Sequence, residues 1–352
     1  MIRHLSIENF KSIGDIEIYL GRVNLLAGTN SSGKSTIIQS LLLMLQNNKS
    51  FIGFNGDYAR LGDYDDVRCR FLPSSRDIVL KATYEDGGYL YHKYSRTENN
   101  KLNLTIEKTD AGERDLFDAD NRLIQYLSCH RLGPLPMYRK DMTVKDDIGI
   151  EGEYAVSYLD RHKEDTLEDN ICKSKANLTL MGQVNYWLKY IVGAEINTSD
   201  MVGTDYVKAS YNFNEVTDLR PINIGSGISY LISVIIMCLA SRVGALLIIE
   251  NPEIHLHPNA QSKVCEFLYF IAENNRQIIV ETHSDHIFNG YRSGIVTGTM
   301  DKDKINIMFV YEKEDMMTDV MKFEIGKYGC VENQVKNLFD QFDSDMQKMV
   351  GI

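Results

Sequence analysis

Residues 28–36 carry the most specific motif of the chain: Gly28-Thr29-Asn30-Ser31-Ser32-Gly33-Lys34-Ser35-Thr36. They fit G-x-x-x-x-G-K-[ST], the pattern of loops that wrap phosphate groups. The apolar run 22–27 before the loop predicts a strand, and residues 37–46 after it predict a helix. A strand, a glycine-rich loop and a helix form the context that this motif requires, because the loop amides and the helix N-terminus both attract anions. The sequence therefore predicts a site for the phosphates of a nucleoside triphosphate.

Each polar residue of this loop has an expected role. We expect Lys34 to reach the β- and γ-phosphates and the Ser35 hydroxyl to ligate Mg²⁺. The other loop residues that we expect to cradle the phosphates are Asn30, Ser31, Ser32, Gly33 and Thr36. A nucleoside triphosphate and Mg²⁺ are therefore the predicted ligands of the loop.

Composition is that of an ordinary globular protein. The chain has 352 residues, of which 43% are hydrophobic and 25% charged, enough for one large or two modest domains. The formal net charge of −11 argues against a surface that coats nucleic acid, although a local basic groove stays possible. Six scattered cysteines indicate free thiols. No signal peptide is visible, so we expect a cytoplasmic protein without a membrane partner.

If the phosphate loop is taken as part of an ATPase domain, the chain divides into four expected parts. These are 1–109, the N-terminal half of an ATPase domain; 110–204, a mostly helical insert; 205–300, the C-terminal half; and 301–352, a C-terminal extension with one or two strands and a final amphipathic helix. In the first part, residues 1–27 predict two strands joined around residues 9–12, and the alternation over 67–108 predicts an antiparallel meander. In the third, the apolar run 228–240 predicts a buried helix that is too short to span a bilayer.

Two polar turns follow the apolar strands 245–249 and 277–280, which flank a helix and so predict a β-α-β unit. The first turn is Glu250-Asn-Pro-Glu-Ile-His-Leu-His-Pro258, and the second is Glu281-Thr-His-Ser284. Because the carboxyl ends of parallel strands face the ligand crevice, we expect Glu250 to hold Mg²⁺ and the second turn to reach the γ-phosphate. A Gly/Ser turn before the buried helix offers a second anion site.

Together these motifs resemble the ATP-binding-cassette ATPases of the SMC, RecF and OLD type. The matching segments are Asn9-Phe-Lys-Ser12, the loop 28–36, a degenerate signature loop Gly225-Ser-Gly227, the Walker B and D-loop segment 250–258, and the switch-histidine segment Thr282-His-Ser284. More narrowly, the chain is similar to a bacterial family of predicted ATPases with a C-terminal domain of unknown function. That similarity rests on Arg131-Leu-Gly-Pro134, Gly152-Glu-Tyr154, Glu250-Asn-Pro-Glu253 and Phe339-Asp-Gln341. Relatives of this broad group include ATPase subunits of phage-defence modules.

The resemblance implies an α/β P-loop fold of the ABC/SMC-like type, with a mixed parallel core sheet, an antiparallel N-terminal β-subdomain and a helical insert. It implies a head-to-tail homodimer in which Ser226 and Gly227 of one subunit close over the γ-phosphate bound by the other. It also makes ATP, with Mg²⁺, the expected cofactor, adds Lys11 to the nucleotide-binding residues and makes His283 the γ-phosphate sensor. The output would pass to a protein effector encoded nearby, in anti-phage defence, or to DNA.

The Walker B segment departs from the family pattern. Glu250 stands where Asp is usual, and Asn251 stands where a catalytic Glu normally polarises the attacking water. An amide cannot accept a proton at neutral pH, so general-base help is lost at that position. Glu253 is the candidate to position the water, with a structural role in the turn as the alternative. We therefore expect slow hydrolysis, which suits a switch.

Several assignments stay open. Gln46 is either a ligand in a Q-loop or a helix terminus, and Arg131 is either an anion or interface contact or a loop anchor. His255 and His257 lack the i, i+4 spacing of a helical zinc site and are better explained as D-loop contacts. Asp343-x-Asp345 is similar to the D-x-D of a Toprim nuclease, but the residues after the switch motif are too few for that domain.

Four functions remain in competition. The first is an ATP-gated switch that controls a partner. The alternatives are a RecF-like repair ATPase that binds duplex DNA, an OLD-like nuclease subunit and a transporter ATPase, the last disfavoured by the Asn9–Ser12 segment and the weak signature loop.

Overall fold

The phosphate-loop motif lies in a unit that is assembled from both ends of the chain. The structure, a computed structural model, describes residues 1–97, 99, 101–109, 115–143, 145–333 and 348–349. One compact unit comprises Met1–Ile124 and Asp301–Ile352, and the other comprises Gln125–Met300. Boundaries therefore lie after residues 124 and 300, whereas the sequence divided the chain after 109, 204 and 300.

The first unit combines a strand hairpin, the loop–helix motif and an antiparallel sheet. Its elements are β1 (Ile2–Phe10), β2 (Ile13–Tyr19), β3 (Val23–Ala27), α1 (Lys34–Asn47), α2 (Tyr64–Val67), β4 (Ile78–Tyr84), β5 (Tyr89–Arg96) and β6 (Leu102–Lys108), with β14 (Ile305–Glu312) and β15 (Thr318–Lys322) from the far end. The predicted strand pair and the predicted meander are confirmed by the antiparallel order β2-β1-β4-β5-β6.

Strand β3 leads directly into the phosphate loop. All five of its residues are buried, as expected for a strand covered on both faces. It pairs in parallel with β14, with Leu25 opposite Ile307, and β14 pairs antiparallel with β15. The predicted strand, loop and helix around residues 28–36 are therefore confirmed, with α1 beginning at Lys34.

The remaining elements follow one another between β6 and β14. They are β7 (Ile124–Leu127), β8 (Tyr138–Arg139), α3 (Ala155–His162), α4 (Leu180–Val192), β9 (Glu195–Asp200), β10 (Tyr206–Phe213), β11 (Val216–Leu219), α5 (Ser226–Ala240), β12 (Leu246–Glu250), α6 (Pro258–Glu273), β13 (Gln277–Glu281) and α7 (Asp285–Val296). Strand β10 pairs antiparallel with β8, β9 and β11.

The predicted β-α-β unit and buried helix are both confirmed in the second unit. Strands β12 and β13 are fully buried and run parallel, with Glu250 opposite Glu281, so both polar turns leave the same edge. Helix α5 buries nearly all of its side chains. Among the described residues, no helix combines the length and the apolar character that crossing a bilayer would require.

The segment 110–204, expected as a mostly helical insert, contains α3 and α4 together with β7, β8 and β9 and irregular stretches between them. Its last strand belongs to an antiparallel hairpin with β10, in which Asp200 lies opposite Val207. The final helix expected near the end of the chain, Phe339–Gln341 and the Asp343-x-Asp345 pair lie outside the described residues.

Candidate functional site

Two glycines shape the phosphate loop. Gly28 has φ 154° and Gly33 has φ 106°, values at which a side chain would be strained. A Cβ atom on Gly28 would also overlap the Val310 carbonyl of β14, and one on Gly33 would overlap the Thr318 side chain of β15. The loop is therefore closely packed against the β14–β15 hairpin, which explains why glycine is needed at both places.

Lys34 begins α1 and folds back over the loop. Its Nζ donates hydrogen bonds to the carbonyls of Gly28, at 3.1 Å, and Thr29, at 2.7 Å, and the residue is only 3% exposed. A buried ammonium group on this loop supplies positive charge next to the helix N-terminus. The side chain is thus held against the backbone of the loop.

Other residues of the loop fit a phosphate group. Ser32 is buried, and its hydroxyl has no hydrogen-bond partner among the described residues. The N-cap residue of α1 is Gly33, which has no side chain to cap the helix, and the amides of the first turn lie at the end of the loop. Asn30, Ser31 and Ser35 are exposed. Thr36 is buried on α1. This donor set matches an anion rather than a cation.

Lys11 lies beside α1, in the turn between β1 and β2. Its Nζ donates to Oε1 of Gln39 at 2.7 Å, and its amide donates to the Val67 carbonyl at 2.7 Å. Burial lowers the pKa of Lys11. The adjacent Asn9 is fully buried and donates to the carbonyls of Arg76, at 2.6 Å, and Asp77. The structure thus brings the predicted Asn9–Ser12 segment onto the flank of the helix that follows the loop.

Gln46 has a structural role near the helix terminus, the second of its two expected roles. It is buried near the end of α1, where its Oε1 accepts from the amides of Tyr58 and Ala59 and its Nε2 donates to the Gly53 carbonyl. These bonds shape the loop that follows the helix.

Glu250, at the end of β12, is held by two donors. Tyr126 donates its hydroxyl to Oε1 at 3.0 Å, and the Cys129 amide donates to Oε2 at 2.9 Å. The residue is 7% exposed. Burial, and then the charge of Glu250, raises the pKa of Tyr126, so the phenol remains a donor at neutral pH. A carboxylate oriented in this way keeps lone pairs for Mg²⁺, which binds proteins through one or two carboxylates and retains several waters.

Arg131 anchors the same strand end, which agrees with the loop-anchor alternative. Its Nη1 donates to the Glu250 carbonyl and its Nη2 to the Asn251 carbonyl at 2.6 Å. The guanidinium is buried, and burial lowers its pKa to about 10, so it stays charged at neutral pH. Asn251 itself has φ 44° and donates its amide to the Glu281 carbonyl at 2.7 Å. The first polar turn is therefore fixed by its backbone.

Glu253 is the carboxylate of this turn that reaches the second turn. Its Oε1 accepts from the Thr282 hydroxyl at 2.6 Å and from the His283 amide at 3.2 Å. Its Oε2 is buried without a hydrogen-bond partner among the described residues. Burial raises the pKa of Glu253, and the bonds at Oε1 only partly oppose that rise. One oxygen is thus used by the protein, and the other is left for a donor such as water.

The second turn positions His283 at the end of β13. Thr282 is fully buried, whereas the His283 side chain is exposed. Ser284 caps α7 by accepting from the amides of His286 and Ile287, and its hydroxyl donates to Gln261 of α6 at 2.5 Å. The histidine therefore lies between two tightly bonded residues.

The Gly/Ser turn at the start of α5 packs against the first polar turn. Gly227 is buried, and a Cβ atom there would overlap the His255 carbonyl, whereas one on Gly225 would meet nothing within 4 Å. Ser226 is half-buried at the first position of the 15-residue helix. The rings of Tyr230 and His255 are 5.2 Å apart. Signature loop and D-loop segment thus form one assembly within the second unit.

No group of three or more potential metal ligands occurs among the described His, Cys, Asp and Glu residues. His257 instead caps α6, with its Nδ1 accepting from the Asn259 amide at 3.4 Å. Tyr126 and Thr318 were missed by sequence reasoning, because neither belongs to a local motif.

Comparison with known proteins identifies relatives of this chain. A family profile described as AAA ATPase domain matches residues 1–177 and 153–288. An OLD nuclease of Thermus scotoductus is 23% identical over 381 aligned positions, covering 95% of this chain and 70% of that protein. A DNA double-strand break repair Rad50 ATPase of Nanoarchaeum equitans is 29% identical over 133 positions, covering 35% of this chain and 15% of that protein.

Two solved structures share the fold. A SmcHead bound to the C-winged helix domain of ScpA superposes with a TM-score of 0.61 at 14% identity, covering 92% of this chain and 98% of that one. An Smc head domain with an extended coiled coil, bound to the C-terminal domain of ScpA derived from Pyrococcus furiosus, gives 0.54 at 13% identity, with 99% of both chains covered. The expected α/β fold and the resemblance to SMC, RecF and OLD-type ATPases are therefore confirmed.

Proposed function

Because the chain belongs to the family of AAA ATPase domains, we propose that it is a nucleotide-gated dimeric switch that binds MgATP and hydrolyses it slowly. The observation that carries the proposal is the loop at the start of α1. There, buried Lys34 and the N-terminus of α1 accompany the Ser32 hydroxyl, which is buried and has no hydrogen-bond partner among the described residues, and these features suit an anion.

MgATP supplies the γ-phosphoryl group that water attacks. Lys34 neutralises the phosphates, and the residues that line the loop with it are Asn30, Ser31, Ser32, Gly33 and Thr36. Ser35 and Glu250 hold Mg²⁺, and Tyr126 keeps the Glu250 carboxylate oriented. Lys11 adds positive charge beside α1, and His283 senses the γ-phosphate.

Slow hydrolysis follows from the first polar turn. Asn251 offers no base, so Glu253 positions the attacking water through Oε2. Burial raises the pKa of Glu253, which makes its carboxylate a stronger proton acceptor. A long-lived ATP state is what a switch requires.

The dimer is the means by which the nucleotide state is read out. Ser226 and Gly227 begin a long helix whose N-terminus lacks a side-chain cap among the described residues, so it is suited to meet the γ-phosphate held by the second subunit. Contacts that need the γ-phosphate are lost after hydrolysis, which opens the dimer.

Size-exclusion chromatography with light scattering tests this. We expect the wild-type chain to shift from monomer to dimer with Mg²⁺ and a non-hydrolysable ATP analogue, and Lys34→Ala to stay monomeric. Lys101→Ala, an exposed lysine, is the matched control and should behave like wild type. A dimer that forms equally well in Lys34→Ala would contradict the proposal.

We extend the proposal to a protein effector encoded nearby, in anti-phage defence. Its support is the resemblance to ATPase subunits of phage-defence modules, together with the ScpA domains bound to the two SMC heads. A pull-down from cells with Glu253→Gln, which should hold the ATP state, is expected to retain the effector, and Lys34→Ala is expected to lose it. Equal recovery with both variants would speak against nucleotide control.

Duplex DNA binding is a second candidate, favoured by the similarity to the Rad50 ATPase. It predicts ATP-dependent binding that weakens steeply as salt rises, since phosphate contacts release counterions.

The same samples incubated with plasmid test the nuclease alternative that the OLD relative raises. Cleavage that persists in Lys34→Ala would point to contamination.

A further inference from the structure

Thr318 lies directly beneath the phosphate loop, although 286 positions separate it from Ser32 in the sequence. It is the first residue of β15 and is 3% exposed. No sequence motif marks it, and none of the nucleotide roles proposed above uses it.

The Thr318 side chain connects two segments of the first unit. Its hydroxyl lies 2.8 Å from the Ser32 carbonyl and 2.8 Å from the Ser12 hydroxyl. A hydroxyl donates a single proton, so Thr318 Oγ1 directs it to the Ser32 carbonyl or to the Ser12 hydroxyl, which are equally distant acceptors. The Thr318 amide donates to the Ser12 carbonyl at 2.8 Å. One residue thereby ties the turn that carries Lys11 to the phosphate loop.

The bond to Ser32 has a consequence for the next amide. In a planar trans peptide, the carbonyl and the N–H of the following residue point in opposite directions. Anchoring the Ser32 carbonyl on Thr318 therefore aims the Gly33 N–H away from β15. The fit is close, because a Cβ atom on Gly33 would overlap both Oγ1 and Cγ2 of Thr318.

We propose that Thr318 is a positioning residue for nucleotide binding, which holds the Ser32–Gly33 peptide so that the Gly33 amide faces the phosphates. This inference rests on the proposed function, namely that the loop binds ATP. Thr318 acts through the loop and does not contact the nucleotide.

Two substitutions separate this role from simple packing. Thr318→Val keeps the shape of the side chain and removes the hydroxyl, whereas Thr318→Ser keeps the hydroxyl and removes the methyl group. A positioning role predicts that serine is tolerated better than valine. A packing role predicts the reverse order.

The experiment measures Kd for MgATP and MgADP by titration, and kcat and KM for hydrolysis. We expect Thr318→Val to raise both Kd values and KM by about fivefold, the range of one lost hydrogen bond, while kcat stays within about twofold. ATP and ADP should lose affinity equally, because the loop wraps phosphates common to both. Thr318→Ser should remain close to wild type. Thr105→Val, an exposed threonine on β6, controls for the chemical change.

Several results would overturn the proposal. One is a Thr318→Val variant that binds MgATP as tightly as wild type does. Another is a Thr318→Val variant that binds MgATP more tightly than Thr318→Ser does. Neither result would affect the proposed function. Failure of both Thr318 variants to fold would also overturn the proposal, since the residue would then serve the fold itself. If wild type binds no MgATP, or binds it no better than Lys34→Ala does, the proposed function fails as well, and this comparison is made first.

Discussion

Glu253 meets two opposing demands at the residue scale. It needs to be ionised to position water, yet its Oε2 atom is buried without a hydrogen-bond partner among the described residues, while its Oε1 accepts two hydrogen bonds. A carboxyl whose pKa is higher in the folded than in the unfolded chain stabilises the fold at low pH, and this contribution is lost as the pH rises through the folded pKa. At neutral pH the residue therefore favours activity at a cost in stability.

Glu253→Gln should lower activity without lowering stability at neutral pH. We expect kcat to fall about 100-fold or more, as for loss of a general base, with MgATP binding retained. In urea unfolding, the variant should be at least as stable as wild type at pH 7. As the pH falls, the free energy of unfolding of wild type should rise relative to that of the variant, since the pKa of Glu253 is raised. Exposed Glu107→Gln is the control. Fast turnover in Glu253→Gln would remove its assigned role.

Arg131 is the residue whose removal should damage the site through its backbone. Arg131→Met removes the donor to the buried Glu250 carbonyl and to the part-buried Asn251 carbonyl, so we expect a loss of about 3 kcal/mol in the free energy of unfolding. Arg139→Met, at an exposed position of β8, should change it by no more than about 0.5 kcal/mol. Chemical denaturation measures both, and equal stability of the two variants would contradict the anchoring role.

At the scale of elements, the site is built where helices and strands begin or end. The sequence predicted the phosphate loop, α1, the β12–α6–β13 unit and both polar turns, because each is encoded by a contiguous pattern. It could not predict that Tyr126 orients Glu250 or that Thr318 supports the loop, since those contacts join segments 124 and 286 positions apart. The segment Arg131-Leu-Gly-Pro134 singled out Arg131, but it did not predict that its partners are the Glu250 and Asn251 carbonyls.

The junction between α5 and the first polar turn gives a test at this scale. Gly227→Ala would place a methyl group against the His255 carbonyl, whereas Gly225→Ala meets nothing within 4 Å. Overpacking of this kind costs about 1–3 kcal/mol, so we expect Gly227→Ala to lower stability and hydrolysis together. Thermal unfolding and ATPase assays on both variants provide the comparison. Equal stability and activity of the Gly227→Ala and Gly225→Ala variants would mean that the contact between Gly227 and the His255 carbonyl is unimportant.

At the scale of the whole molecule, net charge separates the two candidate functions. Each protomer carries a formal charge of −11, so two protomers repel each other and salt screens that repulsion. We therefore expect the Kd of the ATP-dependent dimer to fall several-fold between about 50 and 300 mM NaCl, a range over which salt increasingly screens the repulsion. Duplex DNA binding would weaken over the same interval. Sedimentation velocity and fluorescence anisotropy measure the two, and a dimer that weakens with salt would contradict this electrostatic account.

The β14–β15 hairpin has a consequence for how the protein is made. A nascent chain that has emerged from the ribosome as far as residue 300 contains the complete motif 28–36, but neither β14 beside β3 nor Thr318 beneath the loop. Contacts between segments so far apart in sequence form late, after the chain between them has been synthesised. Interrupted translation should therefore release polypeptides that carry the nucleotide motif but are not yet able to enter the nucleotide cycle.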